Sequence, residues 1–123
     1  MSIILDAGAL IAAERRDLQT WARLKAELEL GDRPVTTAPV VAQVSRSPRQ
    51  ALLHRFLRGC DIVAFEPEIA ATVGTLLADS GTSDVVDAHL IVLAAGRTII
   101  TSDPEDLRHL ASHAADGTTV LPV

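Results

Sequence analysis

Short, continuously apolar runs alternate with helix-forming segments along the whole chain, and this alternation limits most strongly how the chain can fold. Strands that are apolar throughout, and not on one face only, are typical of parallel sheets covered by helices on both sides. The pattern therefore predicts an α/β fold, a three-layer α/β/α sandwich with a mainly parallel central sheet of about five strands. The predicted strands are 2–5, 34–39, 61–65, 98–101 and 118–123.

Helices are predicted between these strands, seven in all. In the second helix Asp17 is placed to cap the first turn, apolar residues recur at helical spacing, and Gly31 suits the end. Pro67 suits the first turn of the fifth helix. The sixth helix is predicted from about Ser83 to Ala95, with Gly96 as its stop. The other helices are expected in 7–16, 39–46, 49–59 and 103–112.

The chain has the size and composition of one compact domain, which we expect to span residues 1–123. It is 48% hydrophobic, with two Phe, one Trp and no Tyr, so its core must be built from aliphatic side chains. The single cysteine, Cys60, cannot form an internal disulfide, which is consistent with a reducing cytoplasm. No run approaches the roughly 20 apolar residues of a membrane span. We therefore expect a cytoplasmic protein with no membrane segment.

The net charge of −5 hides an uneven distribution of charge along the chain. Up to Cys60 there are nine Lys/Arg and six Asp/Glu, a balance of +3, and beyond it there are two and ten, a balance of −8. A uniformly acidic surface would disfavour nucleic acid. A basic half and an acidic half permit a cation-binding cleft beside a phosphate-binding flank. Solvated surface charges that are unevenly placed explain the same numbers.

Two aspartates follow predicted strands near the point where each strand ends. Asp6 comes directly after the first strand, and Asp103 comes two residues after the fourth. If both strands are central and parallel, the two side chains emerge at the same edge of the sheet, where open α/β sheets bind ligands. Asp103 has a second explanation, because Pro104 and Asp106 behind it make a good helix start with Asp103 as N-cap.

The predicted sixth helix carries two more carboxylates, Asp84 and Asp87, which lie three residues apart and therefore share a face. Asp84 is equally explained by the positive end of the helix dipole. Asp87 is harder to explain, since its neighbours are almost all apolar. The second half of the chain has no basic residues other than Arg97 and Arg108. A buried carboxylate without a partner takes up a proton.

Convergence of these carboxylates would require a cation. Two negative charges about 4 Å apart repel by roughly 4 kcal/mol at an effective dielectric near 20. Three or four of them would therefore not stay ionised together without a positive charge. Oxygen ligands match Mg²⁺ or Mn²⁺ and not zinc. We accordingly predict a Mg²⁺ (or Mn²⁺) site formed by Asp6, Asp84, Asp87 and Asp103.

Three segments together resemble the PIN-domain family, especially the VapC-type toxins of bacterial toxin–antitoxin pairs. They are IILDAGALIA (3–12), TSDVVDAHLIVLA (82–94) and IITSDPEDL (99–107), and their order and spacing extend the resemblance over nearly the whole chain. The resemblance implies a PIN-like fold. It maps the acids of the family onto Asp6, Asp87 and Asp103, with Asp84 as an extra acid and Thr101 as a hydroxyl beside the last acid.

One position departs from the family pattern. Family members usually carry a Glu in the helix after the second strand, where this chain has Gln43. An amide oxygen can still accept a hydrogen bond, but it adds no charge. Three interpretations stay open: Asp84 compensates for the missing charge, Gln43 holds substrate or water, or the chain is a PIN-fold module that binds RNA or protein with weak or lost nuclease activity.

The resemblance implies a metal-dependent endoribonuclease that hydrolyses RNA phosphodiester bonds, the toxin of a type II toxin–antitoxin system. In such an enzyme one or two metal ions activate the attacking water, and Asp6, Asp87 and Asp103 would be the catalytic ligands. The resemblance also implies a homodimer, a cognate VapB-type antitoxin that blocks the cleft, and a folded substrate such as transfer or ribosomal RNA.

RNA binding would also require cations near the cleft, because phosphate contacts dominate affinity. Arg15 and Arg16 follow the first helix, and Arg46 and Arg49 precede the fourth. We predict that some of them bind RNA, although each is also explained as a solvated surface charge. The chain has almost no aromatic residues on which bases could stack, so recognition should rely on RNA shape and phosphate position.

Other parallel α/β domains also place aspartates at strand ends. Phosphoacceptor receiver domains and haloacid-dehalogenase-like phosphatases need a lysine beside the phosphoryl group. The one lysine here, Lys25, lies in an early helix, far in sequence from any late strand. A P-loop is excluded because the sequence has no Gly-Lys pair.

Overall fold

The computed structural model describes residues 2–123, which form five strands and seven helices in the predicted alternating order. The strands β1 to β5 are Ile4–Leu5, Val35–Thr37, Asp61–Val63, Thr98–Thr101 and Thr119–Pro122. The helices α1 to α7 are Ala7–Glu14, Leu18–Glu29, Ala38–Val44, Ala51–Leu57, Pro67–Ser80, Val85–Ala94 and Pro104–Ser112. Every predicted element is present, and most are slightly shorter than predicted.

The five strands form one sheet in the order β3-β2-β1-β4-β5, and every neighbouring pair is parallel. The central strand β1 aligns Ile4 with Val35 of β2 on one side and with Ile99 of β4 on the other. The prediction of a mainly parallel sheet of about five strands is confirmed.

The helices form two groups on opposite faces of this sheet. Helix α1 contacts α2, α3 and α4, whereas α5, α6 and α7 contact one another. The chain moves across the sheet in one direction from β1 to β3 and in the other from β3 to β5. Right-handed crossovers therefore place the two groups on opposite faces, in three layers. The direction reverses between β1 and β4, and such a switch point is where open α/β sheets bind ligands.

The core is aliphatic, as predicted, with Ile4, Leu10, Leu90 and Ile99 among its fully buried side chains. The tryptophan, Trp21, packs edge-on against Phe56 with ring centroids 5.0 Å apart, and its indole nitrogen donates to the carbonyl of Ala13. None of the helices formed by residues 2–123 has the length and apolar composition needed to cross a bilayer.

Two of the boundaries that differ from the prediction have a local cause in the structure. The strand predicted to reach residue 39 ends at Thr37, because the Thr37 hydroxyl accepts a hydrogen bond from the Val40 amide at 3.1 Å and so begins α3 at Ala38. Helix α6 ends one residue before the predicted end, because Ala95 adopts the left-handed conformation with φ of 45°. Side-chain capping and a backbone turn thus set these ends.

Candidate functional site

Thr101 links the carboxyl ends of β1 and β4, the two strands at the switch point, through hydrogen bonds. Its hydroxyl donates to Oδ2 of Asp6 at 2.8 Å and accepts from the backbone amide of Asp103 at 3.0 Å. The other oxygen of Asp6 caps α1 by accepting from the Ala7 amide at 2.7 Å. Asp6 is only 8% exposed and Thr101 is fully buried. The hydroxyl therefore fixes the Asp6 carboxylate relative to the loop that carries Asp103.

Thr101→Val should lower the free energy of unfolding by about 2 kcal/mol, because a buried hydrogen bond to a carboxylate is lost while the side-chain shape is kept. Thr36 offers a matched control, since it is equally buried but donates to a neutral acceptor, the Leu5 carbonyl, at 2.8 Å. We expect Thr36→Val to cost about 1 kcal/mol. Urea unfolding at pH 7 measures both, and equal losses would contradict a special role of the Asp6 contact.

The two aspartates of the sixth helix are placed differently. Asp84 is the N-cap of α6, and its Oδ1 accepts from the Asp87 amide at 3.0 Å, so the helix-end explanation of Asp84 holds. Asp87 lies in the first turn and is half-buried. Burial raises the pKa of Asp87 to about 7, helped by the negative charges of neighbouring aspartates, which in decreasing order of effect are Asp84, Asp6, Asp106 and Asp103. The direction of this shift is the one expected of a partly buried carboxyl group that has no basic partner.

Asp103 is at the N-cap position of α7, but its side chain makes no capping hydrogen bond. It hydrogen-bonds instead with the carboxyl group of Asp106, and this bond, together with the negative charge of Asp103, raises the pKa of Asp106. Asp103 therefore occupies the predicted N-cap position but does not make the capping hydrogen bond. Asp106, which the sequence assigned to helix capping, is an acidic neighbour that the functional interpretation of the sequence missed. The spacing of three residues between the two acids was the signal that could have revealed it.

These five aspartates, the carboxylate cluster, have no basic partner within residues 2–123. The ion pairs of that part of the chain join Lys25 to Glu29 and Arg33 to Asp61, both away from the cluster. No basic side chain of residues 2–123 therefore relieves the repulsion among these carboxylates. Binding of protons relieves part of it. A divalent cation would relieve it more fully. The cluster comprises Asp6, Asp84, Asp87, Asp103 and Asp106.

The oxygen donors of the cluster suit Mg²⁺ or Mn²⁺ in kind and in charge. In residues 2–123, however, no three Asp, Glu, His or Cys side chains already stand where they could ligate one ion. Both oxygens of Asp6 accept protein hydrogen bonds, and Asp103 is bonded to Asp106. Ligation by three carboxylates therefore requires side chains to rotate, and the metal site stays a prediction.

Gln43 lies near the end of α3 with an exposed side chain. Helix α3 follows β2, which pairs with β1, so it begins at the same edge of the sheet as the cluster. Gln43 itself is the second-last residue of α3 and carries an uncharged amide. The supporting role predicted for Gln43 is not tested by this arrangement.

A cleft of about 530 Å³ runs along α1. Gly8, two residues after Asp6, and Ser102, next to Asp103, line it near the cluster, and Arg15 lines it at the other end of the helix. Arg15 and Arg16 are exposed at the end of α1, and the predicted RNA-binding residues Arg46 and Arg49 are exposed in the loop before α4. Their binding of RNA stays a prediction.

His89 lies two residues after Asp87 in α6 and packs into the interior. It is fully buried, its ring contacts Phe65 edge-on with centroids 4.9 Å apart, and neither ring nitrogen has a hydrogen-bond partner among the described residues. Burial lowers the pKa of His89. The histidine is thus a buried neutral group with unsatisfied polar atoms, which costs stability.

His89→Leu should raise the free energy of unfolding by about 1 kcal/mol at pH 7, since unsatisfied polar atoms leave the core. Below about pH 6.5 the unfolded chain protonates His89 before the folded chain does, so the stability of the unchanged protein falls as the pH falls. The gain from the leucine should therefore grow between about pH 6.5 and 5. Urea unfolding at several pH values tests this, and a gain that shrinks toward acid pH would contradict it.

No protein-family model and no curated protein matches the sequence. A chain of the crystal structure of VapBC2 from Rickettsia felis, bound to a DNA fragment from their promoter, matches the structure with a TM-score of 0.75. The match covers 100% of this chain and 99% of that chain at 18% sequence identity. At this identity the likeness shows the fold, and it confirms the PIN-like α/β sandwich that the sequence predicted.

Proposed function

We propose that this chain is a Mg²⁺- or Mn²⁺-dependent endoribonuclease and the toxin of a type II toxin–antitoxin pair. The observation that carries the proposal is the carboxylate cluster at the switch point, where Asp87 has a pKa of about 7 and no basic side chain of residues 2–123 compensates the charge. A structural cluster of this kind would be expected to recruit arginine or lysine. Its charge is suited to an external cation.

In this proposal Asp6, Asp87 and Asp103 hold the metal, and Asp84 assists while it caps α6. When bound, the ion supplies a Lewis acid for a phosphate oxygen and lowers the pKa of a water molecule. Thr101 keeps the Asp6 carboxylate in one orientation through its 2.8 Å hydrogen bond. Asp87 must lose its proton before it can act as a ligand, so metal affinity should rise as the pH rises through about 7.

The proposed partners follow from the resemblance and from the charges of the chain. A VapB-type antitoxin would insert a basic or aromatic side chain among the acids of the cluster, and the matched VapBC2 structure is consistent with such a partner. We further propose a homodimer that acts in the cytoplasm on a folded RNA such as transfer or ribosomal RNA. The exposed arginines Arg15, Arg16, Arg46 and Arg49 would contact its phosphates.

One observation favours a second function, a PIN-fold module that binds RNA or protein with weak or lost nuclease activity. The position of the usual Glu is taken by the exposed amide of Gln43, so that part of the site adds no negative charge. Weaker metal binding would follow. The two functions differ in whether RNA is cleaved when metal is supplied.

The test incubates RNA with the chain in Mg²⁺, in Mn²⁺ and in EDTA, and compares the unchanged protein with Asp6→Asn. We expect cleavage with metal, none in EDTA, and a loss of about 100-fold or more in the variant. Cleavage that persists equally in EDTA and in the variant would rule out the mechanism. RNA binding without cleavage in any metal would support the binding module, and a gain of activity in Gln43→Glu would locate the defect.

The toxin role has a separate cellular test. Expression of the chain without an antitoxin should arrest growth, and Asp103→Asn should relieve the arrest. Harmless expression of the unchanged chain at the same protein level would count against a toxin, while leaving the nuclease activity to be judged by the RNA assay.

A further inference from the structure

Gln50 organises the loop between α3 and α4 through four hydrogen bonds. Its Oε1 accepts from the backbone amides of Arg46 at 2.7 Å and Ser47 at 3.0 Å. Its Nε2 donates to the carbonyl of Val44 at 2.9 Å and to Oε2 of Glu14 at 2.8 Å. Both amide hydrogens and the oxygen are thus used: two of the bonds stay within the loop, one reaches Val44 at the end of α3, and the fourth reaches α1.

The hydrogen bond to Glu14 holds the loop that carries Arg46 and Arg49 next to the end of α1, where Arg15 and Arg16 lie. Arg15 and Arg16 directly follow Glu14 at the end of α1, and the loop that Gln50 holds there presents Arg46 and Arg49. All four arginines are exposed, and none forms an ion pair with a carboxylate of the described residues. Glu14, which directly precedes Arg15, accepts a hydrogen bond from the amide of Gln50 through its Oε2.

The backbone of Arg16 adds an independent observation. Arg16 has φ of 62°, the left-handed conformation, between the end of α1 and the N-cap of α2 at Asp17. A residue with a side chain is disfavoured there by about 1 kcal/mol relative to glycine. Strained backbone of this kind clusters at functional sites, so an arginine at a position that suits glycine points to a use for its charge.

We propose that Gln50 is a positioning residue for a phosphate-binding surface formed by Arg15, Arg16, Arg46 and Arg49. This role rests on the proposed function. Gln50 holds the arginine-bearing loop against α1 and keeps Glu14 from pairing with the guanidinium groups. The four arginines are thereby left to bind phosphates of an RNA strand, and one of them, Arg15, also lines the cleft along α1. Loss of the bond to Glu14 releases the loop and frees a negative charge among the arginines.

The experiment measures binding of a labelled single-stranded RNA oligomer in EDTA, so that binding is separated from cleavage, at several salt concentrations. Gln50→Leu keeps the size of the side chain and removes its four hydrogen bonds. We expect about 10-fold weaker binding and a shallower slope of log Kd against log salt, by about 0.7 for each phosphate that the variant no longer binds. Arg46→Ala and Arg49→Ala should weaken binding similarly, whereas Arg16→Gly should weaken it while stabilising the fold.

A rescue experiment distinguishes a role of Gln50 in positioning the arginines from a role in the stability of the fold. Gln50→Glu keeps the acceptor for the loop amides but places two carboxylates together, so binding should fall. Adding Glu14→Gln restores the hydrogen bond between the two side chains with donor and acceptor exchanged, although not the bond to the Val44 carbonyl, and it should recover part of the affinity and of the salt slope. The free energy of unfolding of each variant shows whether the fold is kept.

Each outcome decides the proposal. If the arginine variants weaken binding while Gln50→Leu binds as tightly as the unchanged chain, the role of Gln50 is overturned and the proposed function stands. The role is overturned in the same way if Gln50→Glu is not rescued by Glu14→Gln although both proteins are folded. If the unchanged chain binds no RNA in EDTA or in metal, the proposed function and the role of Gln50 are both overturned.

Discussion

Asp87→Asn is expected to abolish metal-dependent RNA cleavage and, at the same time, to stabilise the metal-free protein. Loss of one proposed metal ligand should reduce cleavage by about 100- to 1,000-fold, because several kcal/mol of transition-state stabilisation depend on the ion. Stability should rise because the asparagine carries no charge to be buried beside four other aspartates. A substitution that removes activity while raising stability marks a functional residue, since most substitutions at structural sites destabilise.

The gain in stability should depend on pH. The pKa of Asp87 is about 7 in the folded protein and about 4 in the unfolded chain. Between these values the folded protein binds more protons than the unfolded chain, so its free energy of unfolding falls as the pH rises from about 4 to 7. The full shift corresponds to about 4 kcal/mol, and solvent around the half-exposed carboxyl group reduces it to about 1–2 kcal/mol.

Urea unfolding of the unchanged protein and of Asp87→Asn in EDTA, at pH 5 and pH 8, measures this difference. The variant should gain most at pH 8, and Mg²⁺ should stabilise the unchanged protein there but not the variant. Asp79, exposed on α5 outside the cluster, provides the control, because Asp79→Asn should change neither stability nor cleavage. Normal RNA cleavage by Asp87→Asn would show that Asp87 is not part of the active site.

Gly8→Ala is expected to destabilise the protein by about 2–3 kcal/mol and to displace the loop that carries Asp103. Gly8 lies in the first turn of α1, two residues after Asp6, and a methyl group there would come within 2.7 Å of the backbone nitrogen of Ser102. Backbone atoms cannot turn aside as a flexible side chain can. The loop would have to move, and the bond between Thr101 and the Asp103 amide would move with it.

Gly74 is the matched control for this substitution. It lies within α5, where an added methyl group meets no atom within 4 Å. Gly74→Ala should therefore stabilise the protein by about 0.5–1 kcal/mol, because alanine favours the helix over the unfolded chain. Thermal unfolding and the RNA cleavage assay together test the pair. Equal stability changes in the two variants would show that the approach of α1 to the Ser102 loop is not tight.

The alternation of strands and helices could be predicted from the sequence because each element carries its own local signals. Asp17 accepts from the Thr20 amide at 2.9 Å at the start of α2, as its position before an apolar repeat predicted. Asp6 at the end of β1 was placed correctly at the sheet edge for a similar reason, since a polar residue directly after a buried strand marks where that strand leaves the core.

The contacts between distant residues could not be predicted in this way. Asp103 was open to a capping role because only the folded chain shows that its carboxyl group turns to Asp106. The four bonds of Gln50 depend on a loop conformation that no periodicity encodes. Nothing in the sequence indicated that both ring nitrogens of His89 would lack hydrogen-bond partners among the described residues. Each of these contacts depends on side-chain geometry in the folded chain, which local sequence patterns do not specify.

The bond between Thr101 and Asp6 joins positions 95 residues apart, and this separation affects when the site can exist. As the chain emerges from the ribosome, β1, β2 and β3 can pair while the other edge of β1 has no neighbour. Only when β4 inserts beside β1 do the acids of the cluster meet. Distant pairing of this kind forms late in folding. A partially synthesised chain that ends before β4 therefore lacks the assembled cluster, and any binding of a cation by the cluster has to wait until synthesis is nearly complete.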